Sequence, residues 1–502
     1  MRATLFVLAA LMALPTTAVG KPTLTEESQV HARKVVDSAV TALGGASALQ
    51  SIDFVKLQLQ GDVWPRLQMT TPNPPFEPTR FQETLLLDLK ENRLVLEQMN
   101  SGAGFDGHNT IVIHDGEGTT YDHRARTATP IPAAQANQQQ FVQYYRRLPQ
   151  LILRQALERE NTLRYLGRDT FEGRRQDVVT FVMADAQQVA LYVDAKTGLL
   201  SKYELIFTDP LRGDQASQII FSDYASVGRT MVPQQWNWRI AGDLAARYRV
   251  RAGFNPPAAD RSTDIPSDYQ KVAAVPLDPK PTVEKLADDV IVVQNVAAPN
   301  YNTMAVAFRD YVIAVEAPWS SEGADRVIER IKETWPGKPI RYVAVTHHHG
   351  DHIGGLRSFI AEGATVITTQ TNRGVVETMA IAPQNDRLAK APRKPQFLLV
   401  EGGRRVLTDG DQTVELIDVG PNPHAREMLI AWLPKQRIVF QGDLFFMPAN
   451  DAPQGPPQTS TLSFAQKLKE KNLAPERIAS VHGRTATKEE FARAINDQMV
   501  KN

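Results

Sequence analysis

No cysteine occurs anywhere in the 502 residues. That absence excludes a disulfide framework, a lipid-bearing N-terminal cysteine and any thiolate ligand to a metal. Net charge is absent too, since Lys and Arg number 56 and Asp and Glu number 56. Such a balance gives no overall pull toward nucleic acid or an anionic membrane surface, so a small-molecule substrate is the expected partner and nucleic acid is not. Beyond the N-terminus no apolar run is long enough to span a bilayer, and no integral membrane segment is expected in the mature chain. A fixed-period repeat is also missing, which argues against a solenoid or propeller.

The N-terminus reads "MRATLFVLAALMALPTTAVG", with Arg2, an apolar run from Ala3 to Leu14, Pro15, and small residues at Ala18 and Gly20. This is the layout of a cleavable signal peptide over residues 1–20, and it predicts a periplasmic or secreted protein. The length beyond it predicts two or three domains. From Glu26 to Leu49 a helical period runs into Gly44-Gly45, a natural stop. Stretches such as "VKLQLQGDVW", "ETLLLDLKENRLVLEQMN" and "QQVALYVDAKTGLLSKYELIF" then alternate apolar and polar residues, predicting a curved antiparallel sheet over residues 21–254 with helical material between about Ala133 and Glu160. Residues 255–282 are rich in Pro, Asp, Ala and Ser and read as a linker. Strands and helices are mixed from residue 283 to 502, so the expected class is α+β in two domains.

In the first domain, "ALGGASALQSIDFVKLQLQGD", "LYVDAKTGLLSKYEL" and "FSDYASVGRTMVPQQWNW" resemble the half-barrel domains related to periplasmic lipoprotein carriers. The resemblance covers about residues 26–252. It implies an apolar groove able to take a lipid or other apolar ligand, or a scaffold that packs against its neighbour.

Chemistry concentrates in "RYVAVTHHHGDHIGGL", which places four of the ten histidines and one aspartate in six residues. At the end of a strand, His347 and His349 face one way and His348 the other. Gly350 lets the chain fold back and brings Asp351 and His352 to the same place. Neutral imidazoles suit zinc and related metals, and a carboxylate helps hold a second dication close to the first. The local cluster cannot complete two sites. His424 in "DVGPNPHARE", Asp443 in "RIVFQGDLFF" and His482 in "RIASVHG" each follow a strand, where sheets gather ligands, and they are the candidates for the remainder. His348 is read as supporting the site from behind, while His31, His108, His114 and His123 have no partner pattern and no assigned role.

The order His-x-His-x-Asp-His, a later His, Gly-Asp, and a final His-Gly resembles the metallo-β-lactamase-fold superfamily across residues 283–502. The resemblance implies an αββα sandwich with two metals at one edge. It implies that His347, His349 and His424 hold the first metal, that Asp351, His352 and His482 hold the second, and that Asp443 bridges both. Two zinc ions are expected, with iron or manganese also compatible. The reaction implied is hydrolysis of an ester, lactone, thioester or similar small substrate by a metal-bridging hydroxide, with Asp351 orienting the nucleophile. Pro423 and Ala425 beside His424 depart from the Gly and Ser/Thr usual in the superfamily, and the carboxylate at Asp443 points away from the antibiotic hydrolases. The alternatives are a mononuclear iron oxygenase of the persulfide-oxidising kind, or an apolar-ligand-binding protein with a non-catalytic metal domain. Two irregular stretches, 371–397 and 446–461, are expected to form a pocket wall or lid. Arg373, Arg387 and Arg426 are candidates for an anionic group of the substrate, although an exposed arginine is more often only a solvated charge.

Overall fold

The structure is a computed structural model that describes residues 21–65, 67–133, 146–209, 212–261, 267–274, 280–296 and 301–496. The signal-peptide segment 1–20 and residues 134–145 of the expected helical stretch lie outside the described residues. No helix among the described residues is long and apolar enough to cross a membrane.

The first domain begins with the helix Leu24–Ala42, started by a capping box in which the Thr23 side chain accepts from the Glu26 N–H and the Glu26 carboxylate accepts from the Thr23 N–H. Its buried residues Ala32, Val35, Val36, Ala39 and Val40 repeat at helical spacing and define one apolar face. That face packs on a sheet of fourteen strands. Near its middle, Phe54–Val63 pairs antiparallel with Thr79–Asp88 on one side and Asp243–Phe254 on the other. Alternation places Val55, Leu57 and Leu59 in the core and leaves Gln58 and Gln60 exposed. Burying each such leucine contributes about 2 kcal/mol. The helices Leu24–Ala42 and Pro149–Glu158 occupy this apolar face, and their side chains make the contacts that a groove would offer to a ligand.

The stretch read as a linker is tied to one edge of the sheet. Gln270–Lys271 pairs in parallel with Thr127–Ala128, and Tyr269 Oη lies 2.7 Å from His123 Nδ1. The crossing chain is fastened to the first domain by main-chain and side-chain bonds that polar composition does not announce.

The second domain has four layers. A seven-stranded and a six-stranded sheet face each other across a core that includes Val292, Val306, Ile313, Leu416, Ala431 and Phe440. Helices Ser321–Thr334 and Leu356–Glu362 cover the outer face of the first sheet, and Thr459–Glu470 covers that of the second. This is the expected αββα sandwich. Part of the stretch expected to be irregular, 371–397, is instead ordered as the helix Gln370–Ala380, capped where the Thr369 hydroxyl accepts from the Asn372 N–H, and the helix Arg387–Lys390.

Two pieces of the first domain reach the second. Residues 64–78 connect neighbouring strands of the sheet, and the hairpin Arg93–Gly102 to Phe105–His114 turns at Ala103 and Gly104. Both turn residues have positive φ, 49° and 79°, as a two-residue hairpin of this hand requires. A Cβ on Gly104 would lie 2.9 Å from the Pro423 Cβ, so glycine lets the tip sit against the second domain.

Candidate metal centre

The seven side chains singled out in the sequence lie together at one end of the sandwich. His347 and His349 follow the strand Ile340–Ala344, Asp443 follows Ile438–Gln441, and His482 follows Arg477–Ser480. His424 stands in the loop after Thr413–Asp418. Each sits past the C-terminal end of a strand, where no further ladder bond competes for the backbone. Gly442 is required by crowding, since a Cβ there would lie 2.6 Å from Thr346 Oγ1 and 3.2 Å from His347 Nδ1.

The ligand atoms form two groups, His347, His349, His424 and Asp443, and Asp351, His352, Asp443 and His482, each with its atoms within 4.8 Å of one another. In the first group His424 Nε2 lies 3.1 Å from His347 Nε2 and 3.0 Å from His349 Nδ1. Three ring nitrogens converging in this way cannot all be paired by protons among themselves, whereas a cation at their focus satisfies them together. In the second group His352 Nε2 and Asp443 Oδ1 are 3.0 Å apart, yet both are buried without a properly directed hydrogen bond. Buried polar atoms are seldom left this way. The donor set, imidazole nitrogen and carboxylate oxygen with no sulfur, fits two borderline divalent cations that share Asp443.

Electrostatics divides the groups. Burial pushes the His347 and His349 imidazoles well below the usual histidine range, which favours the neutral ring that a metal ligand needs. Burial opposes charge on His352 and His482 as well. There it is outweighed, at His352 by Asp443, Asp351 and Glu316, which hold the ring well above the ordinary value, and at His482 by Asp443 and Asp351, which raise it to about 9. The carboxyls of Asp351 and Asp443 stay far below the usual carboxylate range despite burial, chiefly because of His352.

Behind the ligands stand residues that the sequence reading missed. Glu316 is fully buried after the strand Val312–Val315 and accepts from the Thr346 N–H at 3.1 Å and the Thr346 hydroxyl at 2.7 Å. Its Oε2 also lies 3.1 Å from His352 Nδ1, and Thr346 Oγ1 lies 2.9 Å from His347 Nδ1. One carboxylate therefore steadies a histidine of each group. Its signal in the sequence was a lone acid ending the apolar run "YVIAVEAP". The first domain supplies the rest. His349 Nε2 is 2.9 Å from the Met69 carbonyl, His424 Nδ1 is 3.1 Å from the Ala103 carbonyl, and Gln68 Nε2 donates to Asp351 Oδ1. Phe105 meets His424 edge-on and stacks on Phe446, which in turn meets His482. Carbonyls carry no residue signature, and no spacing in the sequence pointed to them.

His348 is buried but belongs to neither group, in keeping with its opposite direction on the strand. His108 and His123 stack on each other at 4.1 Å in the first domain, outside both groups. Beside Phe105 and Phe446 lies a cavity of about 550 Å3 between the domains, lined by His108, Asn109 and Arg124 on one side and Asn450 and Gln454 on the other. The stretch 446–461 forms one wall of it, as a pocket-forming loop should.

Residues 320–482 match the family model described as "Metallo-beta-lactamase superfamily". A curated relative, the 2,4-dinitroanisole O-demethylase subunit alpha of Nocardioides sp. (strain JS1661), is 23% identical over 146 residues, which cover 29% of this chain and 42% of that protein. The matched part is thus less than half the length of that relative. Among solved structures, the DIM-1 metallo-β-lactamase exposed to ceftazidime is 17% identical with a TM-score of 0.33, covering 45% of this chain and 99% of that one. The mono-zinc form of the FIM-1 metallo-β-lactamase from Pseudomonas aeruginosa is 22% identical with a TM-score of 0.33, covering 45% and 98%.

Proposed function

Taking as premise that the C-terminal domain carries the metallo-β-lactamase fold, we propose that the chain is an exported, dinuclear metal-dependent hydrolase of a small ester, lactone, thioester or related substrate. The observation that carries the proposal is the convergence of seven buried or half-buried ligand side chains on two adjoining points that share Asp443. Zinc suits the donor set best, with iron and manganese compatible.

Two bound dications would supply Lewis acidity toward the bond under attack and make water acidic enough to react near neutral pH. The chain's own residues do the rest. His347, His349 and His424 would hold one cation, and Asp351, His352 and His482 the other, with Asp443 between them. Asp351 turns Oδ2 toward His352 at 3.4 Å and His482 at 3.5 Å, while Gln68 fixes Oδ1. Oδ2 is then the oxygen turned toward the ligand side chains, and the Gln68 amide on Oδ1 sets the direction of the carboxylate that would orient the nucleophile. Tyr301 Oη, 3.3 Å from Asp351 Oδ2, is a hydroxyl donor at the same spot. Phe105 and Phe446 keep water from the flank of His424 and His482. The interdomain cavity beside them receives the substrate, its wall mixed between the aromatic rings of Phe105 and Phe446 and polar groups that include the charged Arg124, Asp106 and Asp122.

The test is a substrate screen with protein of known metal content, using esters, lactones, thioesters and phosphodiesters, together with the aryl ether 2,4-dinitroanisole suggested by the name of the relative. Turnover lost on chelation and restored by zinc supports the proposal. One equivalent of iron, with oxygen uptake on a sulfur substrate, would replace it with the mononuclear oxygenase reading. Export is tested by the N-terminal sequence of the protein recovered from outside the cytoplasm, which should begin near Lys21.

A further inference from the structure

The apolar face of the first sheet changes character along one row. Leu57, Leu85, Leu96 and Ile111 stand opposite one another on successive strands and pack in the core of the first domain. Two residues along each strand, on the same face and one step nearer the hairpin tip, the row reads Leu59, Glu83, Gln98, Asn109, Asp122 and Thr127. Polar groups on the covered face of a sheet cost free energy unless they are bonded or have a ligand to meet. Glu83 is bonded to Gln98 and to Arg147. Asn109 is not bonded.

Asn109 and, one row further, Asn100 line the interdomain cavity. Both are half-buried, and neither side chain has a hydrogen-bond partner among the described residues, so both amides are open to the cavity. A Cβ at Gly107, which faces Asn100 on the neighbouring strand, would overlap Asn100 Oδ1, so the glycine makes room for this amide. Asp122 Oδ1 accepts from the N–H groups of Arg124 at 2.8 Å and Ala125 at 2.9 Å, which leaves Oδ2 without a partner among the described residues. Across the cavity Gln454 donates Nε2 to the Phe446 carbonyl at 2.6 Å and leaves Oε1 free in the same sense. The two walls are fastened to each other. Arg124 Nη2 donates to the Pro456 carbonyl at 3.3 Å, and the Gln458 amide exchanges two bonds of 3.1 Å with the main chain of Asp106. At the metal end stand Phe105 and Phe446, whose rings meet His424 and His482.

We propose that the interdomain cavity recognises a neutral, polyhydroxylated ring and, resting on the hydrolase reading for the chemistry, that the substrate is a sugar lactone or sugar ester. The acceptors left free at Asp122 Oδ2, Gln454 Oε1 and the two asparagine carbonyls need donors, which hydroxyl groups provide, while the same hydroxyls accept from the asparagine NH2 groups. An anion has no hydrogen to give. The charged lining of the cavity is Asp106 and Asp122 against Arg124, so no net positive charge draws an anion in. None of the three arginines singled out in the sequence lines it, and two are taken up by acids, Arg373 by Glu377 and Arg387 by Asp325 and Glu362. The volume of about 550 Å3 lies in the range of small-molecule sites. In the reaction water adds to the lactone or ester carbonyl, the acyl C–O bond breaks, and the products are an acid and a hydroxyl on the sugar.

Binding and turnover are measured separately on the full metal-loaded chain. Saturation-transfer NMR compares 1,5-anhydro-D-glucitol with tetrahydropyran, the same ring without hydroxyls. A saturable signal is expected from the first and none from the second. Asn109→Leu should weaken it by about tenfold, the scale of a hydrogen bond left unmade in a closed site, with the metal content unchanged. Asn100→Ala, at a half-buried position, gives the same readout if the leucine disturbs its strand. Kinetics then compare D-glucono-1,5-lactone with δ-valerolactone, and the ratio of their kcat/KM values should fall by about tenfold in either variant. No saturable signal from 1,5-anhydro-D-glucitol, an equal signal from tetrahydropyran, or a signal and a ratio unmoved by both variants would overturn the proposal. Binding that weakens in the variants, with neither lactone turned over, would uphold the ring site and refute the hydrolase reading instead.

Discussion

The two halves of the metal centre are braced in different ways. In the half formed by His347, His349 and His424, the first domain contributes main-chain carbonyls, Met69 to His349 and Ala103 to His424. In the half formed by Asp351, His352 and His482, the supports are side chains, with Glu316 behind His352 and Gln68 and Tyr301 on the two oxygens of Asp351. A carbonyl support survives any side-chain replacement and fails only when its loop moves. A side-chain support can be deleted one residue at a time. The lesson is that the first domain acts as part of the metal centre, through a hairpin tip and one connection that hold ring orientation and tautomer in place.

Substitutions can separate the halves. The largest effect is expected from Asp443→Ala, which removes the residue common to both groups. The variant should bind at most one metal per chain and show no turnover, as read by elemental mass spectrometry and the substrate screen. Next is Glu316→Gln, which keeps the shape and removes the charge behind His352 and, through Thr346, behind His347. Metal affinity should fall by about 10–100-fold, the range for supports of this kind, and more for the second half than the first. Chelator competition with two resolved steps measures it.

Gly104→Val is expected to act on the first half alone. Its side chain meets Pro423 and its φ of +79° is unfavourable for a β-branched residue, so the Ala103 carbonyl is drawn away from His424. One binding step should weaken by about tenfold while the other holds. Gln68→Ala should do the reverse, releasing Asp351 Oδ1 and weakening the second step several-fold, toward the lower end of the same range. If the two variants affected both steps equally, the division between the halves would be wrong.

Much of this was legible in the sequence for physical reasons. Strand alternation, as in Leu57 and Leu59 against Gln58 and Gln60, marks a sheet with one covered face. The convergence of the candidate ligand side chains was legible because metal chemistry demands a few residue types at fixed offsets around a turn, as in His347-x-His349-x-Asp351-His352. The helix Gln370–Ala380 was hidden by its Gly374 and its short amphipathic face, and its start rests on a Thr369 cap. The strand Gln270–Lys271 was hidden because a two-residue edge pairing leaves no periodicity. Met69 and Ala103 were illegible in principle, since any residue in those places provides a carbonyl and only the fold brings it to a histidine.

The most direct measurement of the central claim is the amount of metal bound per full-length chain purified without added metal, by elemental mass spectrometry. Two equivalents of a divalent metal, falling to one or fewer in Asp443→Ala, is the result that a shared two-cation centre predicts. One equivalent in the native chain that persists in Asp443→Ala would contradict it.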